Sequence, residues 1–470
     1  MKKTKIVATL GPASSSKATL TEMIRQGLNV CRMNFSHGSY EDHSSVIHLV
    51  REINEELGTH VAILADLQGP KIRIGEVENN GVLLEDGSKL VITTEKCIGT
   101  AKRVYLSYQT FPKDVSVGDL LLVDDGKLQM EVMAIHGDEV ETKVIHGGIL
   151  SSNKGVNLPN TRISLPSLTE KDKEDLDFAL KHNVDWIGLS FVRSANDIKE
   201  LKAIISSKNK HAKVVAKIEK PEAVWDIEEI IQATDAVMVA RGDLGVEIPM
   251  EKVPTVQKRI IKLCRLHAKP SIVATQMMES MIKNFRPTRA EVNDVANAVM
   301  DGADAVMLSG ETSIGDHPIE VIKAMCMIVN EVETSSDIYH KIEVPEKNQE
   351  RFITDSICFN AARLAQRVDA AGIITMTFSG YTAYKVSSQR PKANTFVFTE
   401  NRQILSQLNL LWGVEGFFYD KMVSTDATIQ DCKNILADKG FLKKGELVVN
   451  IASTPIEEKG QSNMLKLSYV

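Results

Sequence analysis

Eight short, mostly apolar runs recur through the first two thirds of the chain, and each ends in polar or glycine residues. They are Lys5 to Leu10, Asn29 to Asn34, Val61 to Asp66, Asp185 to Ser190, Lys213 to Lys217, Ala236 to Ala240, Ser271 to Thr275 and Ala305 to Ser309. Runs this rich in Val, Ile, Ala, Leu and Met belong to strands buried on both faces, which is the condition of a parallel sheet covered by helices. Helical patterns lie between them, at Ser16 to Gln26, Tyr40 to Leu57, Glu170 to Lys181, Ala195 to Ser206 and Val253 to His267. Strand followed by helix, with eight strands in all, predicts the α/β class and a (β/α)8 TIM barrel.

Two segments fall outside that rhythm. From Pro70 to Pro166 helical periodicity is lost and turns abound, so an all-β domain is inserted between the third and fourth barrel strands. Its strands are expected at Lys71 to Val77, Lys89 to Thr94, Arg103 to Tyr108, Leu120 to Val123, Leu128 to Ala134 and Glu139 to His146, closing as a small barrel. After a charged linker near Val344 to Arg351, a second alternation begins with a helix at Thr354 to Arg367. Its strands are expected at Gly372 to Thr377, Thr395 to Thr399, Gly416 to Tyr419, Glu446 to Ile451 and Met464 to Ser468. The domains are therefore a barrel at 1–69 and 167–343, an inserted β lid at 70–166 and a C-terminal α/β regulatory domain at 344–470.

Lys and Arg total 56 against 62 Asp and Glu. The resulting excess of negative charge gives no general attraction for nucleic acid or an anionic membrane. No stretch approaches the roughly 18 apolar residues of a membrane helix. The apolar run after Met1-Lys2-Lys3-Thr4-Lys5 stops at Gly11-Pro12, too short for a signal peptide. Six cysteines, Cys31, Cys97, Cys264, Cys326, Cys358 and Cys432, are scattered without a C-x-x-C pair, as reduced core thiols would be. A cytoplasmic location is the expectation.

In such a barrel the reactive groups sit at the C-terminal ends of the strands. Those ends carry Arg32, Asn34 and Ser36; Asp66; Ser190; Lys217 and Glu219; Arg241 and Asp243; Thr275; and Ser309 and Glu311. Glu219 and Asp243 follow adjacent strands and together suit Mg²⁺, which takes one or two carboxylates plus substrate phosphate oxygens. Lys217 alternates with Glu219 and is placed to meet the charge of a transferring phosphoryl group. Arg32 and Arg73 offer planar forks for phosphate, Gly242 leaves room for a substrate carboxylate, and Thr275 adds a hydroxyl. Walker, dinucleotide, nucleophile-elbow and H-E-x-x-H motifs are absent, and His37, His182 and His267 lack metal-ligand spacing.

The strings Thr9-Leu10-Gly11-Pro12-Ala13-Ser14, Arg32-Met33-Asn34-Phe35-Ser36-His37-Gly38, Ala216-Lys217-Ile218-Glu219, Ala240-Arg241-Gly242-Asp243-Leu244-Gly245, Ala274-Thr275-Gln276-Met277 and Met307-Leu308-Ser309-Gly310-Glu311-Thr312 end successive barrel strands. With Asn153-Lys154-Gly155-Val156-Asn157-Leu158-Pro159 in the insertion, the chain resembles the pyruvate kinase family nearly end to end. The resemblance implies phosphoryl transfer from phosphoenolpyruvate to ADP, giving pyruvate and ATP. It places Mg²⁺ on Glu219 and Asp243, makes Lys217 the transition-state stabiliser, and sets Arg32, Gly242, Asp243 and Thr275 around phosphoenolpyruvate. Arg73 and Lys154, with Asn34 and His37, match the nucleotide side, and the insertion would close as a lid. A homotetramer is usual in the family.

Two departures refine this picture. Members that need K⁺ resemble Asp-Thr-Lys-Gly-Pro-Glu-Ile-Arg-Thr near the third strand, whereas this chain has Asp66-Leu67-Gln68-Gly69-Pro70-Lys71-Ile72-Arg73-Ile74. The Lys71 ammonium would replace the potassium charge and leave Asn34, Ser36, Asp66 and Leu67 as the remnant of that site, so K⁺ is not required. In the C-terminal domain, Thr377, Ser379, Gly380 and Thr382 resemble a phosphate-binding effector loop, but Phe378 and Tyr381 stand where some members carry basic residues. The companion loop Pro455 to Asn463 keeps only Lys459 as a cation, which speaks against tight fructose 1,6-bisphosphate binding and leaves a monophosphate effector, or none. A Mg²⁺-dependent lyase or aldolase acting on a pyruvate-like enolate, and a phosphometabolite-binding scaffold without turnover, are the competing readings of the same residues.

Overall fold

A computed structural model describes the chain apart from residues 1, 160, 342, 348–349, 422–423 and 455–461. Eight parallel strands close a barrel: Lys5–Thr9, Val30–Asn34, Ala62–Asp66, Trp186–Leu189, Lys213–Ile218, Ala236–Ala240, Ser271–Ala274 and Ala305–Leu308. The first strand pairs with the second on one side and the eighth on the other. Side chains alternate about the barrel wall, as a strand's two-residue period demands. Ile6, Ile63, Val214 and Val237 pack against the surrounding helices, whereas Val7, Val30, Leu64, Trp186, Val215 and Met238 form a second cluster inside the wall. Arg32, Asp66, Ser190 and Lys217 continue that inner parity, so the polar residues at the strand ends point into the barrel mouth.

Local signals fix the helices. Ser39 and Asp42 form a capping box on Tyr40–Leu57, and the Thr169–Asp172 pair caps Glu170–Lys181. Asp172, fully buried, also accepts the Gly69 amide at 2.9 Å, anchoring the chain where it leaves the barrel for the insertion.

The insertion is all-β, a six-stranded sheet with a separate two-stranded pair, Val82–Leu84 with Gly148–Leu150. The strand expected at Lys71 to Val77 is absent. That segment makes only isolated bridges, from Arg73 to Gly155, Ile74 to Leu106 and Val77 to Gly99, and its amides at Ile74 and Gly75 donate to the Lys154 and Tyr105 carbonyls, so it lies between the edge strands Val156–Asn157 and Arg103–Tyr105 without forming a regular ladder. The other five expected strands are present. Its apolar core, with Ile74, Leu90, Val104, Leu121, Met130 and Val140 among its members, is separate from that of the barrel.

The C-terminal part carries a five-stranded sheet, with four parallel strands and an antiparallel edge strand, Met464–Tyr469. It docks on the barrel through a buried ion pair, Arg390 Nη2 to Asp304 Oδ2 at 3.0 Å. Most of the companion loop, Lys459 included, lies outside the described residues. Among the described residues no helix is long and apolar enough to cross a membrane.

Candidate active site

The fifth barrel strand brings Lys217 to the centre of the mouth. Its ammonium lies 2.9 Å from Glu219 Oε1 and 3.2 Å from Asp66 Oδ1, and donates to Ser190 Oγ at 2.7 Å. The Ser190 hydroxyl in turn donates to the Leu67 carbonyl at 2.7 Å, so the lysine is held from three directions. Burial alone would lower the Lys217 pKa, but the Asp66 and Glu219 carboxylates raise it above the ordinary lysine value, and the group is a fixed cation. Asp66 is pulled the other way. Burial opposes its charge, yet Lys217 and Arg32 hold its pKa below the usual carboxylate range. Arg32 Nε and Nη2 reach Asp66 Oδ2 at 2.7 and 2.5 Å, and Nη1 donates to Thr9 Oγ1 at 2.8 Å.

Glu219, 1% exposed, accepts the Phe191 amide on Oε2 at 2.7 Å. Burial raises its pKa, and the neighbouring Asp243 carboxylate raises it further against the pull of Lys217. That mutual repulsion marks the pair as a place for a divalent cation. Among the described residues there is no cluster of three or more His, Cys, Asp or Glu side chains suited to a metal. Two carboxylates with open positions for substrate and water fit Mg²⁺ rather than Zn²⁺.

Asp243 sits in the first turn of a helix, Arg241–Glu247. Glycines at 242 and 245 weaken helix propensity, but tertiary contacts override it. Arg241 donates to the Thr275 carbonyl at 2.7 Å and the Ala274 carbonyl at 3.2 Å, and pairs with Asp294 at 2.7 Å. It is therefore a strut for the neighbouring strand end and is not free for substrate. Thr275, φ +74°, and Gln276, φ +55°, both occupy the left-handed region, an unusual conformation for a β-branched residue that the Arg241 anchor helps to hold. Gly242 is required there, because a Cβ would fall 2.7 Å from Thr275 Cγ2.

On the side of the insertion, Arg73 donates to the Asn153 carbonyl at 2.9 Å, and Lys154 pairs with Asp124 at 2.8 Å. Both line an open cleft of about 290 Å³ that also takes in Lys71, Asn157, Lys220 and Asp243. Lys71 reaches Ser36 Oγ at 3.3 Å, and the Asn34 side-chain oxygen accepts the Ser36 amide at 3.1 Å. Desolvation and the Lys217 charge lower the Lys71 pKa, with Asp243 opposing. His37 is exposed; its amide donates to the Asn34 carbonyl, and its side chain joins none of these contacts. Sequence reasoning gave no role to Ser190, Thr9 or Phe191, and only their places at strand ends signalled them.

The residues expected to form an effector loop lie apart from the mouth. Thr377 Oγ1 accepts the Gly380 amide at 3.0 Å, Gly380 has φ +84°, and Thr382 Oγ1 lies 3.1 Å from Ser462 Oγ. Ser379 is exposed, and Tyr381 is turned to Asp355, 2.8 Å away.

Comparison with known proteins agrees with this geometry. The family described as "Pyruvate kinase, barrel domain" matches residues 1–322, and "Pyruvate kinase, alpha/beta domain" matches residues 355–468. A pyruvate kinase of Corynebacterium glutamicum is 45% identical over 99% of this chain and 97% of its own length. One of Geobacillus stearothermophilus is 42% identical over the whole of this chain and 80% of the relative. The crystal structure of a pyruvate kinase from Cryptosporidium parvum superposes with a TM-score of 0.93 at 34% identity, covering 100% of this chain and 96% of that one. With the barrel mouth, the two matched regions and full-length relatives in agreement, this chain belongs to the pyruvate kinase family.

Proposed function

We propose that this chain transfers the phosphoryl group of phosphoenolpyruvate to ADP, giving pyruvate and ATP, and that it does so without potassium. The observation that carries the reading is the buried Lys217 ammonium, held among Glu219, Asp66 and Ser190 at the mouth. Phosphoryl transfer asks a protein chiefly for positioning and charge neutralisation, and a cation fixed before substrate arrives supplies both without reorganisation. Glu219 and Asp243 would hold Mg²⁺, which when bound neutralises phosphate oxygens. Arg32, oriented by Asp66 and Thr9, binds the phosphate; Gly242 and Thr275 receive the carboxylate end. Arg73 and Lys154, with Asn34 and His37, face the nucleotide, Lys154 exchanging Asp124 for a phosphate. The lid at 70–166 covers the mouth and excludes water, the competing acceptor.

Potassium independence rests on Lys71, whose ammonium approaches Ser36 beside Asn34, where a monovalent cation would otherwise sit. A coupled assay of ADP-dependent pyruvate formation in potassium-free buffer tests both claims. Full turnover supports them. Turnover that appears only with K⁺ refutes the second, and its absence under all salts refutes the first in favour of a lyase or a binding scaffold. Lys71→Glu should make the enzyme potassium-dependent. The chain further assembles as a homotetramer in the cytoplasm, to be checked by light scattering and fractionation. A phosphorylated effector binds at Thr377, Ser379, Gly380 and Thr382, to be checked by titrating sugar phosphates against the phosphoenolpyruvate saturation curve.

A further inference from the structure

Glu247 and Lys220 form a buried ion pair that no step above uses. Lys220 Nζ lies 2.6 Å from Glu247 Oε1, with side chains 6% and 1% exposed. The same oxygen accepts Asn157 Nδ2 of the lid at 2.8 Å. Arg193 holds the Ile163 and Leu165 carbonyls and Lys71 reaches Ser36 where the lid enters and leaves the barrel, but among the described residues the Asn157–Glu247 bond is the one hydrogen bond or ion pair that joins the body of the lid, 75–158, to the barrel. Its placement is specific. Lys220 directly follows Glu219, and Glu247 lies four residues after Asp243 on the helix Arg241–Glu247, hence on the same helix face one turn away. The two candidate metal carboxylates and the ion pair thus stand side by side on the same two segments, and Asn157, Lys220 and Asp243 line one cleft.

We propose that Glu247 is a positioning residue: it ties the lid, through Asn157, to the segments that aim Glu219 and Asp243, so that lid position and metal-site geometry are set together. This rests on the reading of the mouth given above. Stability alone accounts poorly for the arrangement, because a buried ion pair is often no better than apolar residues of equal volume. Moreover, Glu247 Oε2 is buried without a hydrogen-bond partner, so the pair leaves part of its desolvation cost unrecovered. The pair also keeps the Lys220 ammonium occupied. Released, that charge would compete with Mg²⁺ for the adjoining carboxylates.

Three variants of the full chain test the tie. Asn157→Ala should speed amide exchange across 148–157 in the ligand-free protein by about tenfold and raise the KM for ADP about tenfold, the scale of a lost hydrogen bond to a charged group. Barrel-strand exchange should not change. Glu247→Gln keeps an acceptor for Asn157 but frees Lys220, so the Mg²⁺ concentration for half-maximal activity should rise about tenfold by the same scale. Adding Lys220→Met to Glu247→Gln should restore that Mg²⁺ response. Loss of thermal stability with unaltered lid exchange, ADP KM and Mg²⁺ response would overturn the proposal. If Glu247→Gln fails to fold, Asn157→Ala, at a half-buried position, decides alone. Failure of the wild type to form pyruvate would sink the assigned reaction, whereas lid exchange in Asn157→Ala still decides the tie.

Discussion

Replacing Lys217 with Met removes the cation on which the mouth is organised and keeps the length of its aliphatic stem. Its ammonium stands about 3 Å from two carboxylates, and it would stand comparably close to an oxygen of the phosphoryl group passing from phosphoenolpyruvate to ADP. At that distance a unit charge is worth roughly 5 kcal/mol at an effective dielectric of about 20. Each 1.36 kcal/mol is tenfold in rate, so kcat should fall by about 10³ to 10⁴. Ground-state binding should suffer less, because Arg32 retains its hold on Asp66 and Glu219 retains the Phe191 amide. The affinity for phosphoenolpyruvate with Mg²⁺, read by calorimetry, is expected to change less than tenfold, the pattern of an interaction realised mainly in the transition state. Folding is expected to survive, since Asp66 keeps its pair with Arg32 and Glu219 keeps the Phe191 amide. The assay is coupled pyruvate formation at saturating substrates, with circular dichroism as the folding control. A folded variant whose kcat stays within tenfold of wild type would refute the reasoning.

Other perturbations reach different parts of the account. Gly242→Ala sets a Cβ 2.7 Å from Thr275 Cγ2, so the KM for phosphoenolpyruvate should rise at least about tenfold, while the melting temperature falls by only a few degrees; steady-state kinetics and a thermal melt read the two effects. Arg390→Met leaves Asp304 charged and buried between barrel and C-terminal domain, which should cost about 3–5 kcal/mol in urea unfolding. Burial pushes the Lys3 pKa down to about 8, with Glu333 opposing. The unfolded value is about 10.4, so between these pH values the unfolded chain binds more protons and the group's contribution to stability rises with pH. Unfolding free energies at pH 7 and 9.5 should therefore move in favour of the wild type over Lys3→Met, and a constant gap would contradict the shift.

Much of this molecule is legible in its sequence because both barrel clusters are written in a two-residue period. The parity that buries Val30, Leu64 and Val215 also aims Arg32, Asp66 and Lys217 at the mouth. Caps such as Ser39 with Asp42 mark helix starts within a residue. What escaped depends on contacts between distant segments. Lys71 to Val77 has the composition of a strand, yet it makes only isolated bridges between two edge strands, and pairing partners are not encoded locally. Nothing in Arg241-Gly242-Asp243 announces the helix Arg241–Glu247, because two nearby glycines disfavour one, but Arg241 anchored on Ala274, Thr275 and Asp294 fixes its first turn. For the same reason Lys154 looks free in sequence, although in the fold it pairs with Asp124.

Anomalous scattering from a crystal grown with Mn²⁺ in place of Mg²⁺ and with phosphoenolpyruvate tests the central claim most directly. The account predicts one strong peak about 2.0–2.2 Å from carboxylate oxygens of both Glu219 and Asp243, with the substrate phosphate in contact with Arg32 and Lys217. A peak bound elsewhere, in crystals of active enzyme, with Glu219 and Asp243 uncoordinated, would contradict it.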